Sequence, residues 1–276
     1  MHIKNKLIIP VLLTFLSSTS YSYADETTWE WDLRPSSNGN SCSSNCPTTN
    51  FSVSDVVDNE SVTANLTAWS DTQGSHGRSP NRDPVIDQAD MYFWGDRNGW
   101  GAVNSDERRR HNPGHAFDNM GNGDFIDYDM VLVSFDTSVA LTGIDFGWVS
   151  DGDFSLLAYT GDGSFSESDL NGSTWANQQN SGNWLTVGQY NGGVTDQYYA
   201  VNTANQSSHH WLIGAYNSVF GAATDSNIDG NDDAFKLKKL QGTTTEPNVV
   251  AAPSTLALML LSFIGIAARR RKLKAI

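Results

Sequence analysis

From residue 25 onward the chain switches side-chain polarity every second residue, in short runs separated by clusters of Gly, Asn, Asp and Ser. Ten such runs are read as strands: 28–33, 61–69, 90–94, 129–135, 139–149, 154–160, 184–190, 197–201, 210–216 and 234–240. In the second, Val62, Ala64, Leu66 and Ala68 share one face, and Thr63, Asn65 and Thr67 the other. A period of two with one polar face is the pattern of half-buried antiparallel strands. Many short strands joined by Gly/Asn/Asp turns predict an all-β fold, an antiparallel β-sandwich or jelly roll. The acids agree with this: 25 Asp stand against six Glu. Asp favours turns, whereas Glu favours helices.

Charge divides the chain into three parts. All 31 acidic residues, but only ten of the 17 basic ones, lie between Asp25 and Glu246, which gives that stretch a net charge of −21. A body so acidic is repelled by nucleic acid and by anionic lipid, so neither is expected as a partner. The expected domains are a signal peptide at 1–24, an acidic extracellular β domain at 25–245 and a membrane-sorting tail at 246–276.

The two ends carry the targeting signals. Lys4 and Lys6 precede an apolar run, 7–16, too short for an ordinary spanning helix. Ser22 and Ala24 supply the small residues that place signal cleavage between Ala24 and Asp25. At the other end, 249–268 is uncharged and long enough to cross a bilayer as a transmembrane helix, and a basic end, 269–274, follows it. The positive-inside rule keeps that basic end in the cytoplasm and puts the acidic domain outside.

The tail Val250-Ala251-Ala252-Pro253-Ser254-Thr255-Leu256-Ala257-Leu258, its apolar stretch, and Arg269, Arg270 and Arg271 resemble the PEP-CTERM sorting signal of Gram-negative bacteria. The tail departs from that signal at Ala251 and Ala252, where the usual form has Pro and Glu. The resemblance implies exosortase, a membrane-embedded cysteine transpeptidase, as a partner that acts near Pro253 and Ser254. A plain tail anchor is the alternative. Within the body, Asn112-Pro113-Gly114-His115-Ala116-Phe117-Asp118-Asn119, Ile144-Asp145-Phe146-Gly147-Trp148 and Trp211-Leu212-Ile213-Gly214-Ala215-Tyr216 resemble exosortase-dependent surface proteins. That second resemblance implies surface display and no established enzymatic activity.

Five groups of residues invite chemistry. Cys42 and Cys46, in an exported chain, are expected to form a disulfide, with two free thiols as the alternative. Asp225, Asn227, Asp229 and Asp233 place oxygens at the first, third, fifth and ninth positions of a calcium-type loop, with Gly230 at the sixth. Lys236 stands at the twelfth, so the loop is no EF-hand, and an ordinary Asp/Asn turn is the competing reading. Asp151-Gly152-Asp153 and Asp127-Tyr128-Asp129 are fainter versions of the same idea. Trp94 and Trp100 flank a Gly-Asp-Arg-Asn-Gly loop and are read either as a carbohydrate platform or as core. His111 and His115 are separated by Pro113-Gly114, His209 and His210 are expected on opposite strand faces, and Arg108, Arg109 and Arg110 are expected to be a solvated basic run.

No nucleophile elbow or phosphate loop occurs, and no carboxylate pair stands out, so no enzymatic activity is expected. The expected role is that of an exosortase-sorted cell-surface or extracellular-matrix protein, structural or adhesive within the exopolysaccharide layer. Before processing, its C-terminal helix would hold it in the cytoplasmic membrane. A carbohydrate-binding module, with or without Ca2+, is the alternative, and a secreted glycoside hydrolase a more distant one.

Overall fold

The computed structural model describes residues 25–35, 42–71, 84–104, 115–120, 127–162, 164–230 and 232–245. The two expected terminal segments, with Ala24, Pro253, Ser254, Arg269, Arg270 and Arg271, lie outside these, as do His111, Arg108, Arg109 and Arg110. Among the described residues no helix is long and apolar enough to cross a membrane. The compact body runs from Glu26 to Thr244.

That body is all-β, as the alternation predicts, with almost no helix. Its strands are β1 (Glu26–Asp32), β2 (Cys46–Thr48), β3 (Phe51–Val57), β4 (Glu60–Asp71), β5 (Ile86–Phe93), β6 (Trp100–Val103) and β7 (Phe117–Asp118). They continue with β8 (Asp129–Ser150), β9 (Phe154–Tyr159), β10 (Trp184–Tyr190), β11 (Tyr198–Ala200), β12 (Ser208–Ala215) and β13 (Ala234–Thr245). Among the described residues one short α-helix occurs, α1 (Trp175–Asn180), capped by the Thr174 side chain, which accepts from the Asn177 N–H, beside two single 3-10 turns.

The strands run antiparallel in the order β1-β13-β6-β5-β4-β8-β12-β9-β10. β8 also pairs with β13, so β4, β5, β6, β13 and β8 close a five-stranded barrel. The agent of closure is β8, whose 22 residues were expected as two strands. Its first part pairs with β4 (Ala64 opposite Phe135, Ser70 opposite Asp129) and its second with β13 (Thr243 opposite Ala140, Ala234 opposite Ser150). The strand changes neighbours around the exposed Asp136 and Ser138 without breaking, so one element serves two sheet surfaces, as at the corners of folded sheets. Strands β2, β3, β6 and β7 were not anticipated; β2, β6 and β7 are too short to display a period, whereas β3, seven residues long, does alternate, with Phe51 and Val53 buried.

Parity explains the apolar runs. Val131, Val133, Leu156, Trp211 and Ile213 point into the main core, with Trp31, Phe93, Phe117, Phe146 and Phe235. Their neighbours Met130, Leu132, Leu157 and Leu212 point the opposite way, into a second cluster with Trp69, Trp175, Trp184 and Phe220. Strands covered on both faces lose their polar positions and read as continuous apolar runs.

The first and last strands lie side by side. The Trp29 indole donates to Thr244 Oγ1 at 2.9 Å, Glu30 meets the Lys239 ammonium at 2.8 Å, and the Leu33 N–H donates to the Lys238 carbonyl at 3.0 Å. Partner numbers fall as β1 advances, so β1 and β13 run antiparallel and the body's two chain ends share one end of the fold.

Candidate functional site

Four connections meet at the end of the body opposite the chain termini. They are the segment after β7, the turn after β8, the segment after β10 and the loop that joins β12 to β13. Antiparallel pairing brings them together: Ala234 lies opposite Ser150, Ala215 opposite Phe154, and Tyr190 opposite Phe154. Each supplies polar groups to one node.

Asp233 is the centre of that node and is fully buried. Its carboxylate accepts from the Asn119 side-chain amide and, at 3.2 Å, from the Asp153 N–H. The Asn119 amide oxygen in return accepts from the Asp233 N–H at 3.0 Å, and the Asn119 Nδ2 also donates to the Tyr216 carbonyl at 2.9 Å. Asp153, also buried, accepts from the Gly192 N–H at 2.7 Å and the Asp229 N–H at 3.0 Å. The Ala234 N–H donates to the Asp151 carbonyl at 3.0 Å, and Asp151 has a positive φ of 38°.

Two overlapping sets of carboxylates converge here. One carboxylate oxygen from each of Asp151, Asp153 and Asp233 lies within 4.8 Å of the other two, and the same holds for Asp151, Asp229 and Asp232. Burial, above all, pushes the Asp233 carboxyl up to about 8; the Asn119 hydrogen bond opposes this, and the charges of Asp153 and Asp151 reinforce it. Asp153 is raised by burial as well, against the two N–H groups that it accepts from. Paired buried carboxylates are costly when ionised, so they hold protons or take up a cation.

The residues read from sequence as a calcium loop are thus divided. Asp229 and Asp233 join the node, each alongside Asp151. Asp225 belongs to neither set: it is exposed, and its carboxylate accepts from the Asn227 N–H at 2.9 Å, closing a local turn. Local spacing suggested ligands from one loop, whereas the fold draws them from two connections 80 residues apart in sequence, Asp153 and Asp233. Asp151-Gly152-Asp153 was the signal for the second half, weak because Asp and Gly are common in any turn.

A second acidic pocket lies where β4 ends and β8 begins. Asp71 accepts from the Tyr128 N–H at 2.6 Å, and Asp127 accepts from Ser70 Oγ at 2.8 Å and from the Asn104 amide. Burial and the nearby Asp127 charge raise the Asp71 carboxyl well above its ordinary value.

Cys42 and Cys46 form the expected disulfide. Trp94 and Trp100 do not form an open platform: Trp100 is 2% exposed, packs on Phe51 and Phe93, and donates its indole N–H to the Leu33 carbonyl at 2.6 Å. Trp94 is half-buried, stacked on His115 with ring centroids 5.5 Å apart, and the Lys236 ammonium lies 5.5 Å from its ring and 4.1 Å from that of Trp148. His115 is therefore an aromatic packing partner. His209 and His210 diverge: His209 Nδ1 lies 3.3 Å from the Phe135 carbonyl, and His210 Nδ1 3.0 Å from Ser134 Oγ. Burial lowers the His210 pKa, with the neighbouring His209 acting in the same sense.

Compared with protein-family models, with curated proteins and with solved structures, the chain matches none.

Proposed function

We propose that this chain is an exported bacterial surface or extracellular-matrix protein with a structural or adhesive role, and that Ca2+ clamps the acid-rich end of its β body. The observation that carries the calcium part is the convergence of Asp151, Asp153 and Asp233, two of them buried, with other carboxylates as the charges acting most strongly on Asp233. Ca2+ prefers several hard oxygen ligands. Asp151, Asp153 and Asp233 would hold it, with Asp229 and Asp232 as the outer alternative set. A bound divalent cation supplies the positive charge that lets these carboxyls ionise together, and so fastens the turn after β8 to the strand that leads out of the body.

The export part of the reading rests on sequence: a signal peptide cleaved after Ala24, and a PEP-CTERM-like tail with Pro253, Ser254 and the Arg269, Arg270, Arg271 cluster as the region handled by exosortase. The net charge of −21 between Asp25 and Glu246 suits a hydrated matrix in which divalent cations bridge acidic chains.

Calorimetric titration of the mature chain with Ca2+ tests the clamp. Saturable binding that disappears in both Asp151→Asn and Asp233→Asn is the expected result; binding unchanged in both variants would remove the clamp from the account. Intact mass of the protein from envelope and medium tests the sorting: a product ending before the apolar run supports processing, and one that keeps Arg269, Arg270 and Arg271 leaves a plain anchor. Of the two rings read as a carbohydrate platform, Trp100 is buried and Trp94 is half-buried and partly covered by Lys236. Glycan arrays with and without chelator discriminate the carbohydrate-binding alternative.

A further inference from the structure

Between β9 and β10 the chain leaves the sheet, and Phe165 of this connection packs on the second cluster, the sheet face opposite the main core. Residues 164–169 read Ser-Phe-Ser-Glu-Ser-Asp, so Phe165 is the only apolar side chain among them. The polar residues close on one another: Ser166 Oγ accepts from the Ser168 N–H, and the Asp169 carboxylate accepts from the Ser166 N–H at 3.0 Å. Glu167 reaches Thr67 Oγ1 at 3.5 Å, and the Asp169 carbonyl accepts from the Gln178 amide at 2.7 Å. Phe165 turns inward instead. Its ring centroid lies 5.1 Å from that of Tyr159, 5.5 Å from Trp184 and 4.7 Å from His210. His210 is half-buried, with Nδ1 3.0 Å from Ser134 Oγ, and the Tyr159 ring flanks it at 6.0 Å. Just beyond, the connection is fastened to β5: the Gly172 N–H donates to the Ile86 carbonyl and the Ile86 N–H to the Ser173 carbonyl, both at 2.8 Å.

We propose that residues 164–169 form an acid-released flap: the Phe165 ring, seated on neutral His210, holds the segment down, and protonation of His210 lets it lift. An imidazolium carries two N–H donors and a charge, and both need acceptors or water. Here one nitrogen meets a hydroxyl, while the Phe165 and Tyr159 rings close on the imidazole. Lifting the flap returns water to the ring, so the protonated form is better accommodated in the open state. Burial lowers the His210 pKa, and His209 acts in the same sense. A group whose pKa is lowered holds fewer protons in the closed state. Closure is therefore fully stable above the ordinary value of 6.5 and weakens as pH falls below it. The other titratable groups on the surrounding elements are Tyr159 on β9, Asp136 on β8, and Asp162, Glu167 and Asp169 in the connection. Asp136 accepts from the Thr63 N–H at 3.1 Å, and Glu167 and Asp169 are engaged with Thr67 and Ser166. The anchor at Gly172 and Ser173 confines the motion to the flap. Opening uncovers the rings of Tyr159, Trp184 and His210, while the ladders of β9 with β10 and β12 stay paired.

NMR titration of the six histidine side chains in the full chain tests it, with His210→Gln assigning the signal. In the parent, His210 is expected to titrate below 6.5, and the Overhauser contact between the Phe165 and His210 rings to vanish as the proton is taken up. Linkage supplies the second readout: if the flap prefers neutral His210, weakening the flap must raise the His210 pKa. Phe165→Ala is therefore expected to bring that pKa back up towards 6.5. An unchanged His210 pKa in Phe165→Ala, or a ring contact that persists once His210 is protonated, would overturn the proposal. Should Phe165→Ala fold poorly, the pH dependence of the ring contact in the parent decides alone.

Discussion

Asp233 binds a proton in the folded body that it would lose in an unfolded chain. Its pKa, about 8, lies above the ordinary 3.8, so between those values the native state holds more protons. Stability from this group is therefore present at low pH and lost as pH rises through that window. A surface carboxylate paired with a cation behaves in the opposite sense. Asp153 and Asp71 are shifted upward too and act in the same direction. In chelator, the melting temperature is expected to fall as pH rises from 3.8 towards about 8, and Asp233→Asn to flatten that slope. Added Ca2+ should restore stability mainly at the upper end of the window, where it no longer competes with protons. Thermal melts followed by circular dichroism across pH check all three; an equally steep slope in Asp233→Asn would show that another group controls it.

Elements in this fold owe their positions to a few close approaches. Gly99 has φ +84°, and a Cβ there would stand 2.1 Å from the Leu237 carbonyl oxygen, so only glycine lets the loop before β6 lie against β13. Gly99→Ala is expected to destabilise the protein by about 2 kcal/mol or more, combining left-handed strain with a backbone clash. Urea denaturation measures this, and a near-zero change would mean that the loop moves away freely. Phe235, in the same strand, meets Phe117, Phe146 and Phe154 at centroid distances of 5.8, 5.0 and 6.3 Å. Its truncation to Ala leaves a cavity where β7, β8, β9 and β13 meet. The expected loss is about 3–5 kcal/mol, read from the same denaturation curves. Both substitutions act on β13, whose removal would open the barrel.

The β body, Glu26 to Thr244, is polarised along its strands: both of its ends emerge at one pole, and the buried Asp153 and Asp233 lie at the other. Antiparallel β1 and β13 place residues 25 and 245 near each other, the condition under which circular permutation is tolerated. A chain that joins these ends by a short linker and opens between Ser181 and Gly182, in an exposed turn, is expected to melt cooperatively near the parent temperature. A permutant without a cooperative transition would show that the β1–β13 contact forms only in the native connectivity.

The sequence by itself determined the all-β class, the location of most strands and the Cys42–Cys46 disulfide. Those depend on local period, turn composition and short loop closure, all written within a few neighbouring residues. It also contained the separate halves of the acidic node, Asp151-Gly152-Asp153 and Asp229 to Asp233, but not their meeting. Only the tertiary structure decided that β8 runs unbroken between two neighbour sets and closes a barrel, that Trp100 is core, and that Asp225 faces solvent while Asp153 replaces it beside Asp233. Which strand lies beside which is settled by the shared burial of faces far apart in the chain, and no local pattern of spacing encodes that partner.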